Sequence, residues 1–241
     1  GLDPVLVEAV SVGDQGGPEA AARAARRGAF DRALAATGAT RILTAHTLDD
    51  QAETVLLGLA RGSGPDAVAG MRVDAPPFVR PLLGVRRATT VQACTDQGIT
   101  PWTDPHNADR RFARVRIRLD ALPALEAALG PGVPLALART AAQLQEDAAA
   151  LDHLAEEQAP ELAELADGGI ALPVAALAAN PPALAQRLIR LAVEQEFGRT
   201  LTRAQTIEVA RLVTDWHGQG PLDLPGVRVV RADGRIEFTA A

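Results

Sequence analysis

Two adjacent aspartates and a histidine form the segment of this sequence best suited to chemistry. The segment is Ala45-His46-Thr47-Leu48-Asp49-Asp50-Gln51-Ala52-Glu53-Thr54, and it follows an apolar run typical of a strand and opens a pattern typical of a helix. Carboxylates bind Mg²⁺ and ammonium groups, whereas they repel a bare phosphate. The segment therefore indicates a site for a divalent cation or an amine beside a nucleotide.

The same spacing also has a purely structural interpretation. Thr47 followed by Asp50 three residues later is close to a capping box, and acids in a first helical turn interact well with the helix dipole. A lone histidine at a strand end is also more often a structural hydrogen-bonding residue than a catalyst. Spacing alone leaves both interpretations open.

Arginine is the second feature of chemical interest. All 24 cationic side chains are arginine, whose planar fork suits phosphate. From Arg80 to Arg118 there are eight arginines against three acids, while residues 143–167 hold eight acids and no arginine. The formal net charge of −6 thus conceals a basic middle that fits a nucleic-acid partner.

The elements that must position these residues alternate along the first half of the chain. Strands are predicted at Pro4–Val12, Arg41–Ala45 and Phe78–Leu83. Helices are predicted at Glu19–Thr37, at Thr47–Arg61 and up to about Gln97. This alternation predicts a doubly wound parallel α/β sheet, whose sites lie where strands end and helices begin.

The next predicted helix, Asp109–Leu122, has two faces. Phe112, Val115, Leu119 and Leu122 fall on one arc, and the opposite arc carries Arg110, Arg111, Arg114 and Arg118. Such an arginine face is typical either of a solvated helix surface or of a nucleic-acid contact.

A boundary is predicted in the Pro- and Gly-rich stretch 130–134, which gives two domains, 1–130 and 131–241. The second domain is predicted to be mostly helical, with long helices at Leu135–Leu165 and Pro182–Trp216. It ends in a β-hairpin within Leu222–Phe238, because Asp233-Gly234 favours the turns that match strand twist.

The composition excludes several classes of protein. A single cysteine, Cys94, excludes an internal disulfide framework and any CxxC metal or redox site. No apolar stretch approaches the length of a membrane span, and there is no signal peptide. The sequence therefore predicts no membrane partner and a cytoplasmic location.

Seven short motifs, in their order and spacing, resemble those of the tRNA(Ile)-lysidine synthetases of the PP-loop ATPase group. The motifs are Glu19–Arg23, Ala45–Thr54, Arg61–Gly64, Arg80–Leu83, Asp104–Asn107, Arg114–Arg118 and Leu122–Glu126. The resemblance is firm over residues 1–126 and looser beyond them. It implies a Rossmann-like, adenine nucleotide alpha-hydrolase-like domain followed by a mostly helical domain that binds tRNA.

The activity that this resemblance implies is the modification of a tRNA(Ile) with a CAU anticodon. In such enzymes ATP adenylates the C2 carbonyl of the wobble cytidine, and the ε-amino group of free L-lysine then displaces AMP. The implied cofactors are ATP and Mg²⁺. Because family members are often dimers, a homodimer is one expected assembly.

The resemblance also implies residue roles. Arg23 is expected to contact the nucleotide phosphate, and His46, Asp49 and Asp50 are the expected catalytic residues. Asp49 and Asp50 are also the expected metal ligands. The tRNA phosphates are expected to contact the arginines of the two-faced helix, Arg110, Arg111, Arg114 and Arg118.

The sequence departs from the family pattern in two places. The family's Ser-Gly-Gly-x-Asp-Ser loop, which cradles the pyrophosphate, is not found in this sequence, so we expect this chain alone to be inactive because it does not bind ATP productively. Val115 stands where the family usually has Asn.

Three alternatives remain open at this point. Another PP-loop tRNA-modifying enzyme is the nearest, although sulfur chemistry generally needs more cysteines than Cys94. A non-catalytic tRNA-binding fragment is the second. A metal-dependent hydrolase using His46, Asp49 and Asp50 is the weakest, because the sequence offers no further ligand cluster.

Overall fold

The computed structural model of the protein describes residues 4–13, 17–62 and 64–241, with residues 18 and 19 described by their backbone alone. The chain divides into two compact units, Gly1–Gln145 and Glu146–Ala241. No single helix in the described ranges is long and apolar enough to cross a membrane. Helical segments 113–129 and 133–162 meet that criterion only as a pair bent by 97°.

The first unit contains a small sheet of three strands in the order β1-β3-β2. Strands β1 (Ile42–Leu43) and β3 (Phe78–Val79) pair in parallel, with Ile42 opposite Phe78. Strand β2 (Asp74–Ala75), which was not predicted, pairs antiparallel to β3. The strands are shorter than predicted; β3 gives way to turns at Arg80 because Pro81 has no N–H to continue the ladder.

Four helices accompany these strands. They are α1 (Pro18–Thr37), α2 (Leu48–Ala60), the short α3 (Pro65–Val68) and α4 (Arg87–Asp96), and all but α3 were predicted. Helix α1 ends as predicted at Gly38, which adopts a left-handed conformation with φ 69° and donates to the Leu34 carbonyl. The strand–helix alternation that the sequence predicts is thus present from β1 to α4.

The prediction of a buried strand at Pro4–Val12 is wrong. Residues 5–13 form neither strand nor helix, and Val5 and Val7 are 75% and 93% exposed. A β-branched run favours a strand only where a neighbouring strand pairs with it, and none of the described strands does. The segment is instead joined to α1 by an ion pair between Glu8 and Arg32, 2.9 Å long. The sequence also predicts a turn in the Gly-rich stretch 13–17, but residues 14–16 of it lie outside the described residues.

The helix predicted to begin at Asp109 begins four residues later. A 3₁₀ turn at Pro105–Ala108 is followed by α5 (Ala113–Arg116), a π-helical turn (Ile117–Ala121) and α6 (Leu122–Leu129). The Asp109 carboxylate accepts from the Arg111 N–H at 3.0 Å, a local bond that competes with helix formation. Arg110 and Arg111 therefore precede the helix, and the predicted single arc of four arginines is wrong.

Helix α7 (Val133–Leu162) agrees with prediction to within three residues at either end. The second unit then forms a five-stranded antiparallel sheet in the order β4-β5-β8-β7-β6. Its strands are β4 (Glu164–Ala166), β5 (Gly169–Pro173), β6 (Leu222–Leu224), β7 (Val227–Ala232) and β8 (Arg235–Ala240). The predicted hairpin is confirmed as β7–β8, with Asp233 and Gly234 at φ 47° and 76°.

The helices of this unit are α8 (Val174–Ala179), α9 (Pro182–Phe197) and α10 (Arg203–Thr214). The single helix predicted over Pro182–Trp216 is wrong, because Gly198 adopts φ 61° and ends α9, and Thr202 caps the start of α10. An apolar core lies between helices and sheet, with Phe238, Ile236 and Leu188 almost fully buried.

Candidate active site

Helix α2 begins at a complete capping box, which fixes the position of Asp50. The Thr47 hydroxyl accepts from the Asp50 N–H at 3.4 Å, and Asp50 Oδ2 accepts from the Thr47 N–H and hydroxyl at 2.8 Å each. The capping interpretation of Asp50 is therefore confirmed. The cap uses Asp50 Oδ2 and leaves Oδ1 for other partners. Asp50 can therefore cap the helix and also take part in a binding or catalytic site.

Asp49 is bound to the start of helix α4. Its carboxylate accepts the Arg87 N–H at 2.6 Å and the Arg86 Nε at 3.1 Å. Burial by itself would raise the pKa of Asp49. The hydrogen bond from the Arg87 N–H, followed by the Arg86 guanidinium, outweighs burial and holds the pKa below its usual value. Asp49 is therefore ionised at neutral pH.

Asp50 Oδ1 faces two guanidiniums. Arg87 Nη2 lies 2.8 Å and Arg118 Nη2 lies 3.5 Å from this oxygen. Burial would raise the pKa of Asp50, but the Thr47 hydrogen bonds, then Arg87 and Arg118, lower it below its usual value. An ionised carboxylate has about four lone-pair sites, so Asp50 can accept a further donor without losing its cap.

Glu53 is the centre of the cluster, although the sequence predicted no role for it beyond its place in the motif Ala45–Thr54. Its side chain is fully buried, with 0% exposure. Glu53 accepts from Arg118 Nε at 2.7 Å and Arg87 Nη2 at 3.1 Å, and Arg114 Nε lies 3.9 Å away. The available signal was helical spacing, because Glu53 lies four residues after Asp49 and three after Asp50 and so shares their face of α2.

His46 lies at the end of β1 in a field of mostly positive charge. Its Nδ1 is 2.9 Å from the Thr44 hydroxyl oxygen. Burial lowers the pKa of His46 first; Asp50 raises it, and the charges of Arg80, Arg114 and Arg26 lower it further. The imidazole is therefore mainly neutral at neutral pH and can accept a proton.

Arg23 and Arg80 extend this positive field. Arg23 is exposed on α1, and after burial its charge is the second factor that lowers the pKa of Arg80. Arg80 Nη1 donates to the Arg72 carbonyl at 2.8 Å, and its buried Nε donates to no group among the described residues. Guanidiniums held near one another suit the binding of a polyphosphate.

The four predicted RNA-binding arginines fall into two pairs. Arg114 and Arg118 point towards α2, where Arg114 Nη2 donates to the Thr54 hydroxyl at 2.9 Å and Arg118 binds Glu53. Arg110 and Arg111 are 62% and 84% exposed and pair with Asp120 and Asp109 respectively. The structure thus brings Arg118 to Asp50, and Arg114 to Glu53 on the same helix.

The carboxylates do not fit Mg²⁺ as they are arranged. Each oxygen of Asp49 and Asp50 already accepts from arginine, from threonine or from a backbone N–H. No group of three or more acidic, histidine or cysteine side chains with metal-binding geometry occurs in the part of the chain that the structure describes.

Comparison with known proteins gives two family matches. The PP-loop domain matches residues 4–125, and the TilS substrate binding domain matches residues 172–237. The first match includes the whole cluster on α2 and confirms the Rossmann-like fold class predicted from the sequence. The second covers most of the second unit's sheet and its three shorter helices.

Curated proteins named tRNA(Ile)-lysidine synthase are similar to this protein over nearly the whole chain. The protein of Leifsonia xyli is 63% identical over 239 residues, which are 99% of this chain and 72% of that protein. The protein of Streptomyces coelicolor is 49% identical, over 97% of this chain and 67% of its own length. The protein of Mycobacterium tuberculosis is also 49% identical, over 93% and 70%.

Proposed function

Since the chain belongs to the tRNA(Ile)-lysidine synthase family, we propose that it joins free L-lysine to C2 of the wobble cytidine in the CAU anticodon of tRNA(Ile). The observation that carries the proposal is the cluster on α2. Asp49, Asp50 and Glu53 share one helix face, and all three carboxylates are bound by arginines beside His46.

ATP use follows from membership of the PP-loop family. When bound, ATP supplies the adenylyl group that activates the C2 oxygen of the cytidine. Arg23, Arg80 and Arg26 are the residues that would hold its phosphates, since the charges of Arg80 and Arg26 act on His46 and that of Arg23 acts on Arg80. No step of the proposal uses Mg²⁺, because Asp49 and Asp50 belong to no group of three or more metal-binding side chains among the described residues.

Lysine must bind as an ammonium ion and react as a neutral amine. Asp50 Oδ1, with Asp49 beside it, accepts the ammonium, because an ionised carboxylate retains capacity for a further donor. The neutral His46 imidazole accepts the proton that the ammonium must lose. The amine nitrogen then bonds to C2 while the C2–O bond breaks, and AMP leaves with that electron pair.

The tRNA is held by arginine. Arg110 and Arg111 are the exposed members of the predicted set and contact phosphates, so tRNA binding weakens as salt rises. Arg114 and Arg118 act from inside the site, where they hold Glu53 and Asp50 in place. Cytoplasmic residence, a homodimer and a domain boundary near residue 130 remain predictions.

Two measurements test the proposal, one of tRNA binding and one of catalysis. The first compares the affinity of the chain for tRNA(Ile) transcripts with CAU and with UAU anticodons. The second measures ATP–pyrophosphate exchange and labelled lysine incorporation on the CAU transcript. We expect tighter binding of CAU, and lysine incorporation wherever exchange occurs.

The outcomes separate the alternatives. CAU selectivity without exchange contradicts the proposed ligation by this chain and leaves a tRNA-binding role. Exchange together with lysine incorporation shows the full reaction to be present and the expected inactivity of this chain to be wrong. Exchange without lysine incorporation indicates a different PP-loop tRNA modification. Equal binding of both transcripts without incorporation contradicts the proposal.

Asp49→Asn tests the lysine side of the site directly. We expect weaker lysine affinity with tRNA affinity unchanged, because the substitution removes a negative charge at the lysine end only. Asp152→Asn, at an ion pair with Arg187 in the second unit, is the matched control. Unchanged lysine affinity in Asp49→Asn counts against the assignment.

A further inference from the structure

Trp102 is the most exposed aromatic residue of the chain. Its side chain is 80% exposed, whereas Trp216, the only other tryptophan, is 39% exposed. There is no tyrosine, and all five phenylalanines are buried or half-buried. Large aromatic faces contribute strongly when buried, so an indole left in water is typical of a binding surface.

The loop that carries Trp102 is fixed at both ends. After α4, the Ile99 N–H donates to the Cys94 carbonyl at 2.8 Å. At the other end the Asp104 carboxylate accepts the His106 N–H at 2.9 Å, and His106 Nδ1 lies at the same distance. Residues 99–104 between them form neither helix nor strand. The indole is therefore displayed from an anchored loop, and its N–H has no hydrogen-bond acceptor among the described residues.

The turn that follows presents positive charge. Arg110 and Arg111 are 62% and 84% exposed and pair with Asp120 and Asp109, and Arg116 Nη1 donates to the carbonyls of both at 2.8 Å. Arg116 thus fixes the turn that carries the two exposed guanidiniums. Indole and guanidinium groups on one stretch of chain match the two parts of a nucleotide, the base and the phosphate.

We propose that Trp102 stacks on an unpaired base of the tRNA anticodon loop, an inference that rests on the proposed function. Stacking on an indole needs a base with a free face, which loops offer and paired stems do not. The excess of arginine between Arg80 and Arg118 favours RNA over a protein as the partner of this surface.

The two tryptophans allow a direct optical test. Trp216→Phe leaves Trp102 as the only indole, and Trp102→Phe leaves Trp216 as the matched control. The probe is an anticodon stem-loop RNA with a CAU loop, and a fully paired duplex of the same length is the control RNA. We expect the stem-loop to quench the fluorescence of Trp102 and to leave that of Trp216 nearly unchanged, and the duplex to quench neither.

Affinity provides the second measurement. Trp102→Ala is expected to weaken binding of the stem-loop about tenfold, the effect of removing one stacked base. Trp102→Phe should retain most of the affinity because it keeps an aromatic face. Leu165→Ala removes another side chain that is 96% exposed and should have no effect.

The outcomes distinguish this inference from the proposed function. Stem-loop binding without quenching, together with wild-type affinity in Trp102→Ala, overturns the stacking role and leaves the proposed function intact. Failure of the wild-type chain to bind either the stem-loop or the full tRNA overturns both. A change of mass in solution in Trp102→Ala with unchanged RNA affinity assigns Trp102 to a protein contact instead.

Discussion

Helix α2 and the core of the second unit are both buried, but they differ in the polarity of the side chains that they bury. Three of the four buried polar side chains of the described residues belong to α2 and its cap, namely Thr47, Gln51 and Glu53. The second unit's core cluster is wholly apolar, from Ala155 to Phe238. Burying apolar groups stabilises a fold directly, whereas burying charges is costly unless each is paired. The difference indicates that the second unit's core serves stability and that the charges of α2 serve function.

The largest effect on stability is expected at Glu53, because its charged side chain is fully buried. Glu53→Ala leaves Arg87 and Arg118 without their buried carboxylate, which we expect to destabilise the first unit by about 3–5 kcal/mol. Hydrogen exchange of the α2 amides measures it locally. Glu53→Gln, which keeps the shape, should recover only part of the loss. Unchanged exchange in both variants would mean that the cluster contributes no stability.

The second unit should respond to loss of volume. Leu188→Ala, at a position 1% exposed on α9, removes apolar contacts and leaves a cavity, at an expected cost of about 3 kcal/mol. Exchange of the α9 amides should rise while that of α2 stays constant, and the loss should not depend on salt. A salt-dependent loss would contradict an apolar origin.

The pH dependence of stability should also separate the two units. The folded-state pKa of His46 is lowered, so the unfolded chain binds its proton at higher pH than the folded chain. Stability of the first unit therefore falls as pH drops below about 6.5, by at most about 1.4 kcal/mol per pH unit. His46→Gln should abolish this pH dependence of stability. The measurement is urea unfolding at a series of pH values, monitored by hydrogen exchange of the α2 amides.

The aspartates act in a lower pH window. The folded-state pKa values of Asp49 and Asp50 are lowered, so their contribution is complete above about pH 4 and is lost as pH falls further. The fall in stability that we expect from His46 above about pH 4 is therefore not caused by these two aspartates. A slope that persists in His46→Gln between about pH 4 and 6.5 would show that another group causes it.

Two matched helix caps give the smallest expected effect. Thr47 and Thr202 both form complete capping boxes, with Asp50 and Gln205 respectively. Replacing either by Ala should cost about 1 kcal/mol of stability. Only Thr47→Ala should also weaken lysine binding, because Thr47 fixes Asp50. Equal lysine affinities in the two variants would show that the Thr47 cap does not contribute to lysine binding.

The sequence predicted strands β1 and β3, helices α1, α2 and α4, and the β7–β8 hairpin because their signals are local. Gly38, the Thr47 cap and Asp233-Gly234 determine their own backbone conformations. The strand predicted at Pro4–Val12 failed because an apolar run does not specify its neighbours. The break at Gly198 had a local signal, a glycine followed by a threonine cap, that the long apolar periodicity obscured.

The candidate site was only partly predictable for a similar reason. The spacing of His46, Asp49 and Asp50 identified the helix face, since these residues are close in sequence. The role of Glu53 depends on Arg87 and Arg118, which are 34 and 65 residues away along the chain. Such long-range pairs have no local signature in the sequence. For the same reason, the contacts of Arg114 and Arg118 with α2 were not predicted, and both had been expected on an RNA-binding face.

The central claim is that the carboxylates of α2 receive the lysine ammonium. The most direct test is hydrogen exchange of the α2 amides, with the CAU transcript present, in L-lysine and in L-norleucine, which lacks the side-chain ε-ammonium group of lysine. We expect protection of α2 by lysine alone, lost in Asp50→Asn and kept in Thr202→Ala. Equal protection by both amino acids, or undiminished protection in Asp50→Asn, would contradict the claim.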